Sequence, residues 1–234
     1  DAGIIGISSG AAFTKLFIVS FVPTYFFFSP IAAFIGGALA CFLVFLLSWE
    51  SGLNPLKLIL VGIAINAMFS GLTEALISFG AASTGAITSN LTLKTWDDVI
   101  IIVTYGSIGL IAAFALFAWC NVLVLSDKTA KSIGFNVTAA RVLIAAVAVL
   151  LSAVSVVVAG VISFVGILVP HIARRLVGHD HKVLIPFTAL LGALIILLAD
   201  TLGRTLFSPM EVPASTIMAI IGGPFLIFLI RKDK

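Results

Sequence analysis

Apolar residues in this chain come in long, nearly unbroken runs separated by short polar breaks. They show neither the strict alternation of a half-buried strand nor the one-sided stripe of a soluble helix. At a rise of about 1.5 Å per residue, roughly 20 apolar residues cross the hydrocarbon core of a bilayer. Eight runs approach that length: 11–28, 31–49, 56–79, 97–120, 139–160, 162–176, 184–206 and 213–230. The sixth is short and ends in Arg174-Arg175, as a tilted or incomplete span would. Turn and stop residues fill the breaks: Ser29-Pro30, Ser51-Gly52-Leu53-Asn54-Pro55 and Ser208-Pro209-Met210-Glu211-Val212-Pro213. A membrane barrel would instead show short alternating segments. The pattern predicts an all-α, polytopic membrane helix bundle of about eight transmembrane helices, one domain over 1–234.

Composition removes the soluble alternative. Hydrophobic residues make up 61% of the 234, charged residues 10%, and the mean hydropathy is +1.27. That is too little polar surface to face water all round, so lipid must be the solvent, with backbone polar groups paired inside helices. Charge then orients the bundle. Numbering the loops alternately, one side receives Lys57, Lys128, Lys131, Arg141, Arg174, Arg175, Lys182, Arg231, Lys232 and Lys234. The other receives Lys94 and Arg204, and Lys15 falls within the first span. By the positive-inside bias, the loops near 50–56, 121–138 and 177–183 and the C-terminus are cytoplasmic. A multi-pass membrane protein is the expected setting; nucleic acid is not an expected partner.

Glycines such as Gly36-Gly37, Gly62, Gly71, Gly109, Gly192 and Gly222-Gly223 lie inside the spans, where small residues let helix backbones approach. Cys41 and Cys120 sit in apolar runs without metal-ligand spacing and read as small buried hydrophobes. The chain opens on Asp1-Ala2-Gly3 with no Met and no cleavable signal, as part of a longer product would. Two polar segments lie outside the spans. On the cytoplasmic side, residues 121–136 can form a short helix capped by Ser126 or Asp127, running through Lys131-Ser132 and ended by Gly134. On the outer side, 81–98 is rich in Ser and Thr and too long for a minimal turn.

Several patterns invite chemistry. Gly6-Ile7-Ser8-Ser9-Gly10 matches G-x-S-x-G, but that elbow needs a strand before it and His and Asp partners on a sheet. His171, His179, Asp180 and His181 could ligate a metal. However, the last three share a turn with Arg174, Arg175 and Lys182, whose charge opposes a cation; the expectation is no metal and no cofactor. Glu74 lies at membrane depth with Asn66 and Ser70 on the same helical face, so the three are candidates for interhelical bonding or for lining a polar pathway. Asp200 and Arg204, four apart, suit a structural ion pair. No Walker loop occurs, so any ATP hydrolysis belongs to another polypeptide, and the chain is expected not to be an enzyme.

Once the spans are laid out, several segments resemble the FecCD family of ABC permeases, which import iron–siderophores, haem and cobalamin. Gly3-Ile4-Ile5-Gly6-Ile7-Ser8-Ser9-Gly10-Ala11 resembles the segment leading into the family's third helix. Leu125-Ser126-Asp127-Lys128-Thr129-Ala130-Lys131-Ser132-Ile133-Gly134 resembles its cytoplasmic coupling segment. The most specific stretch runs from Ile162 to Arg174 and contains Gly166, Pro170 and His171. It is followed by Asp180-His181, Leu198-Ala199-Asp200, Glu211-Val212-Pro213 and Gly222-Gly223-Pro224-Phe225. Trp96-Asp97-Asp98-Val99 also fits, whereas Ala86 and Ser89-Asn90-Leu91 depart from the family's Trp and Gly-Ser-Leu. The family's ten spans against the present eight imply that the first two helices are absent from the sequence as given.

The resemblance implies a permease translocating iron-siderophore-type chelates, with haem or cobalamin as alternatives within the family. It implies a second permease subunit (the same chain or a different one), ATPase subunits on the cytoplasmic face and an extracytoplasmic substrate-binding protein. Leu125, Asp127, Lys128, Ala130, Lys131 and Gly134 would form the ATPase-coupling segment, with Val122, Leu123, Val124 and Leu125 seating in an ATPase groove. Coupling would move the fourth and fifth spans as a rigid pair. Asp97, Asp98 and Glu211 would meet the binding protein, and Asn66, Ser70 and Glu74 would lie near the pathway. Gly166, Pro170, His171, Arg174 and Asp200 carry the family signature. Two readings from other classes compete: an ion-coupled secondary transporter, which would need matched halves with broken helices, and an intramembrane hydrolase using Ser8 or His171.

Overall fold

The computed structural model describes residues 3, 5–21, 28–48, 55–79, 91, 94–206 and 211–232, all helical apart from turns and short connections. The helices are α1 (Ile7–Phe21), α2 (Ser29–Ser48), α3 (Pro55–Ser78), α4 (Trp96–Ala115) and α5 (Phe117–Leu123). They continue with α6 (Asp127–Ser132), α7 (Val137–Ala159), α8 (Val165–Val177), α9 (His181–Thr205) and α10 (Ala214–Lys232). By length and composition, α2, α3, α4, α7 and α9 can each cross a membrane unaided. The eight expected runs are all present as helices, α4 and α5 sharing one run. Ser89 and Asn90, with Ala86, lie outside the described residues, as do 51–54 and 208–210.

The packing falls into two groups. In the first, α1 lies against α2, α3 and α7, and α4 leans on α7. Ala11, Ala33 and Ala153 meet Val156, Val157 and Val158 in its centre. The close approach has a visible cause: a methyl group added at Gly10 would come within 2.6 Å of the Gly36 carbonyl oxygen and 2.8 Å of the Ala40 Cβ. Without a hydrophobic force between helix and lipid, such backbone proximity is where dispersion contacts accumulate. In the second group, α8, α9 and α10 pack together. There Ala199, Ala214, Ile217 and Met218 are buried, with Leu91, Ile162 and Val165 against them. The C-terminal group joins the first through α5 and α4 against α9.

Lys15, Asp200 and Arg204, inside the spans, are each held by a partner. Lys15 Nζ donates to the Val157 carbonyl at 2.7 Å. That oxygen is among the last four of α7, which have no intrahelical partner, so a cation from α1 caps α7. Arg204 Nε meets Asp200 Oδ2 at 2.8 Å one turn away, the ion pair expected from their spacing. Hydroxyls at Thr14, Thr73, Ser155 and Thr201 donate back to carbonyls one turn earlier, which satisfies them in an apolar medium.

Besides α1, which starts at Ile7 instead of 11, three boundaries differ notably from the sequence pattern. The fourth run continues past 120 to Leu123 but breaks at Leu116 into α4 and α5. The seventh begins at His181 instead of 184, because Asp180 caps it by accepting from Lys182 N. The third difference is the largest. The sixth run starts as non-helical backbone over 160–164, and α8 has only 13 residues, roughly 20 Å of helix. Gly160 at φ 72 and Phe164 at φ 69 bound this stretch, both in the left-handed region. For phenylalanine that conformation costs roughly 1–2 kcal/mol, so the surroundings must hold it.

Candidate functional site

A cleft of about 540 Å³ separates the two packed groups. One wall is α3, contributing Ile63, Asn66, Ser70, Thr73, Glu74 and Ile77, with Ser9 and Ala12 of α1 beside it. Helical periodicity makes this wall. Ile65, Phe69 and Thr73 form a buried stripe toward α1 and α2, and Asn66, Ser70 and Glu74 form the adjacent stripe. The structure therefore brings the three polar residues singled out on α3 to one cleft. Glu74 is the one ionisable residue among the described lining residues.

The opposite wall is the non-helical strip. Val161, Ser163 and Phe164 line it, with Ile167 of α8 and Leu226 of α10. Irregular backbone at membrane depth is tolerated where it is buried in protein or borders a cavity, and this strip borders one. Phe164 is held by its fit to α10: a methyl group at Gly222 would overlap the Phe164 side chain. Ser9, Thr73, Ser163, Phe164 and Gly222 were not marked as site residues by the sequence. Thr73 could have been found by extending the helical stripe of α3; Ser9 and Ser163 lie on other elements, and Phe164 reads as one more apolar residue in a span.

In the cationic loop after α5, α6 forms the expected short capped helix. Thr129 N donates to the Ser126 hydroxyl at 3.3 Å. At its other end Gly134, at φ 78, donates to the Lys131 carbonyl and Phe135 N to the Ala130 carbonyl. This pair of bonds needs a left-handed residue at the turn, which glycine supplies without strain. Ala130 is 1% exposed and seats α6 on the bundle, whereas Asp127, Lys128 and Lys131 are exposed. Val124, Leu125 and Ile133 are exposed apolar neighbours of α6, while Val122 and Leu123 are half-buried in α5. The Asp127 carboxylate pairs with Arg141 Nη2 of α7 at 2.8 Å. Both groups are well exposed, so the pair is worth at most about 1 kcal/mol and acts chiefly as an orienting tie. Trp119 and Phe135 meet edge to face at 5.7 Å, fixing the return of the chain.

The His179-Asp180-His181 turn is not a free loop. Asn121 at the end of α5 donates to Asp180 Oδ1 at 2.8 Å and accepts from His181 N at 2.9 Å. Together with the Lys182 amide, the Asn121 hydrogen bond holds the Asp180 carboxyl below its ordinary range, so it is ionised and accepting at neutral pH. Among the described residues no group of three or more His, Cys, Asp or Glu is placed to hold a metal ion. Ser8 is buried in the first turn of α1, with helix and not sheet around it.

The signature residues build α8 and its packing. Gly166 starts the helix, Pro170 removes the amide that would bond the Gly166 carbonyl, and His171 meets Phe225 of α10 edge-on at 6.2 Å. Arg174 is exposed in the last turn of α8, where its charge complements the helix dipole. Asp97 and Glu211 are exposed, at the start of α4 and before α10. Asp98 also has a structural task. Its Oδ2 accepts from Thr95 N and Oγ1 at 3.0 and 3.3 Å, capping α4, and Oδ1 lies 3.8 Å from Lys94.

The profile of the FecCD transport family matches residues 1–232. This chain belongs to the FecCD transport family. It is 40% identical over all 234 residues to IsdF of Staphylococcus aureus strain Newman, which carries the name heme-iron transport system permease protein, and covers 72% of that protein. The IsdF sequence of the bovine strain RF122 matches at the same identity and coverage. A solved inward-facing structure assigned to a metal-chelate type ABC transporter superposes with a TM-score of 0.83 at 29% identity, covering 99% of this chain and 76% of that one. The permease fold, the multi-pass membrane character and the reading as an ABC transporter permease stand on these likenesses and on the apolar helices.

Proposed function

We propose that this chain forms the membrane passage of an ABC importer for iron chelates in the bacterial cytoplasmic membrane. ATP hydrolysis would occur on separate ATPase subunits that grip α6. The observation that carries the reading is the α6 face: a capped helix on the cationic side, with Ala130 seated inward and Val124, Leu125 and Ile133 left apolar and exposed. An apolar patch rimmed by Asp127, Lys128 and Lys131 is what a partner protein needs for both burial and register. Gly134 fixes the turn that presents it.

In this mechanism ATP-driven closure shifts α6, the helices tied to it change their tilt, and access to the cleft alternates. A chelated ion arrives with its coordination sphere filled, so the passage needs width and weak contacts. The cleft offers these: one wall with isolated polar groups at Asn66, Ser70 and Glu74, the other mostly apolar and formed by Val161, Ser163, Phe164, Ile167 and Leu226. A second permease subunit would complete the passage. An extracytoplasmic binding protein would dock on the outer face at Asp97 and Glu211, with Asp98 holding the local geometry.

Between the cargoes, haem is favoured by the name of the 40%-identical relatives and by the apolar wall with its aromatic Phe164. A siderophore-type chelate is the second reading, supported by the metal-chelate assignment of the structural relative and by the polar stripe on α3. Uptake by the whole transporter in proteoliposomes, with haem and a ferric hydroxamate chelate in competition, separates them. Haem uptake that a tenfold excess of the hydroxamate leaves intact supports the first; the reverse supports the second. ATP-independent uptake of either would contradict the importer reading.

A further inference from the structure

We propose that Asn121 is a positioning residue that makes α9 move with the coupling helix, carrying displacement of α6 to the broken wall of the cleft. The proposal rests on the reading of α6 as the ATPase contact.

Asn121 lies in α5, five residues before the Ser126 cap. Its carboxamide is almost fully used, and by groups about sixty positions away in sequence. Nδ2 donates to Asp180 Oδ1 at 2.8 Å, and Oδ1 accepts from His181 N at 2.9 Å. His181 Nδ1 lies 2.7 Å from the same oxygen. An amide oxygen cannot donate, so this arrangement requires the proton on His181 Nδ1. The Asp180 oxygen bonded to Asn121 also accepts from Lys182 N at 3.0 Å, capping α9. One side chain thus binds the first turn of α9 through its cap, its first amide and its first ring.

The link to α6 is short and ordered. Val124 N donates to the Asn121 carbonyl and Leu125 N to the Val122 carbonyl, so turns continue α5 up to the cap. On the far side, α9 packs on α8 and α10. Those elements carry Phe164, Ile167 and Leu226 of the cleft. Asp127–Arg141 gives α6 a separate tie to α7, which belongs to the other packed group. The coupling helix is therefore fastened to both sides of the cleft, to one by an ion pair and to the other by the Asn121 clamp. This differs from moving the fourth and fifth spans alone.

The test uses the complete transporter, reconstituted with its ATPase subunits and binding protein, and reads substrate imported per ATP hydrolysed. Asn121→Asp puts two carboxylates in contact and should lower that ratio at least fivefold. Adding Asp180→Asn exchanges amide and carboxylate while keeping a donor and acceptors for each bond; it should return the ratio to within twofold of the parent. A residue needed only for folding would not be rescued in coupling by this exchange. Should Asn121→Asp fail to assemble, Asn121→Ala, which removes the bonds without repulsion, should lower the ratio at least threefold. The proposal is overturned if every assembled Asn121 variant stays within twofold of the parent, or if the exchange restores nothing. Ala130→Leu, which lifts α6 itself, separates the two claims. If it lowers the ratio while the Asn121 variants do not, only the clamp fails; if none of them lowers it, the coupling reading fails as well.

Discussion

The two walls of the cleft are built on opposite principles. The α3 wall is one uninterrupted helix of 24 residues, and its polar groups recur about once per turn. The facing wall interrupts its helices: backbone runs non-helically from Gly160 to Phe164, and α8 begins only at Val165. A regular helix fixes where its side chains lie by period alone. A broken one depends on neighbours, here Gly222 of α10 and the cluster of Ala199, Ala214 and Met218. The regular wall should therefore tolerate side-chain changes in place, while the broken wall should respond sharply to changes in its support.

The largest effect is expected where the first group rests on backbone contact. Gly36→Leu would drive a side chain into the Gly10 carbonyl and Thr14. Overpacking of this kind typically costs 1–3 kcal/mol and occasionally more, so the purified permease should lose monodispersity and unfold well below the parent temperature. Second, Gly222→Val should displace Phe164 and lower uptake about tenfold with assembly retained. Adding Phe164→Gly, which removes both the collision and the left-handed strain, should recover most of it. Equal losses in the single and double variants would show that the broken wall does not depend on this fit.

How much of this was legible beforehand follows the same division. The α3 stripe, the capped α6 and the Asp200–Arg204 pair rest on local spacing, and spacing is what a sequence displays. The Lys and Arg bias that orients the chain is likewise local to each loop. The broken wall was not legible. Ile162 and Phe164 continue an apolar run, and nothing local distinguishes an apolar residue in a helix from one held left-handed by a glycine sixty positions away. The Asn121 clamp was hidden for the same reason, since neither Asn121 nor Asp180 names the other. Asp98 reads as an outer docking charge, and its bonds to Thr95 add a capping task which that reading did not include.

Smaller changes sharpen the contrast. Glu74→Gln removes the cleft's charge without changing its shape, so the apparent KM for uptake should shift two- to fivefold with little change in stability. An unchanged KM would remove charge from the account of the regular wall. The smallest effect concerns the outer rim. Asp97→Lys should weaken binding-protein docking at low salt by a few-fold and converge with the parent at high salt, as rim charges do. Asp98→Ala should instead cost about 1 kcal/mol of stability through the lost bonds to Thr95.

The central claim is that the space between these walls is the route of the substrate. It is tested most directly by single cysteines along α3, placed in a background where Cys41 and Cys120 are replaced by Ala. A membrane-impermeant thiol reagent should label cysteines at Asn66, Ser70 and Glu74, and saturating iron chelate should slow that labelling. Cysteines at Met68 and Ala75, on the opposite face of the same helix, should be labelled slowly and show no protection. Labelling and protection spread evenly around α3, or absent from the Asn66–Ser70–Glu74 stripe, would contradict the account.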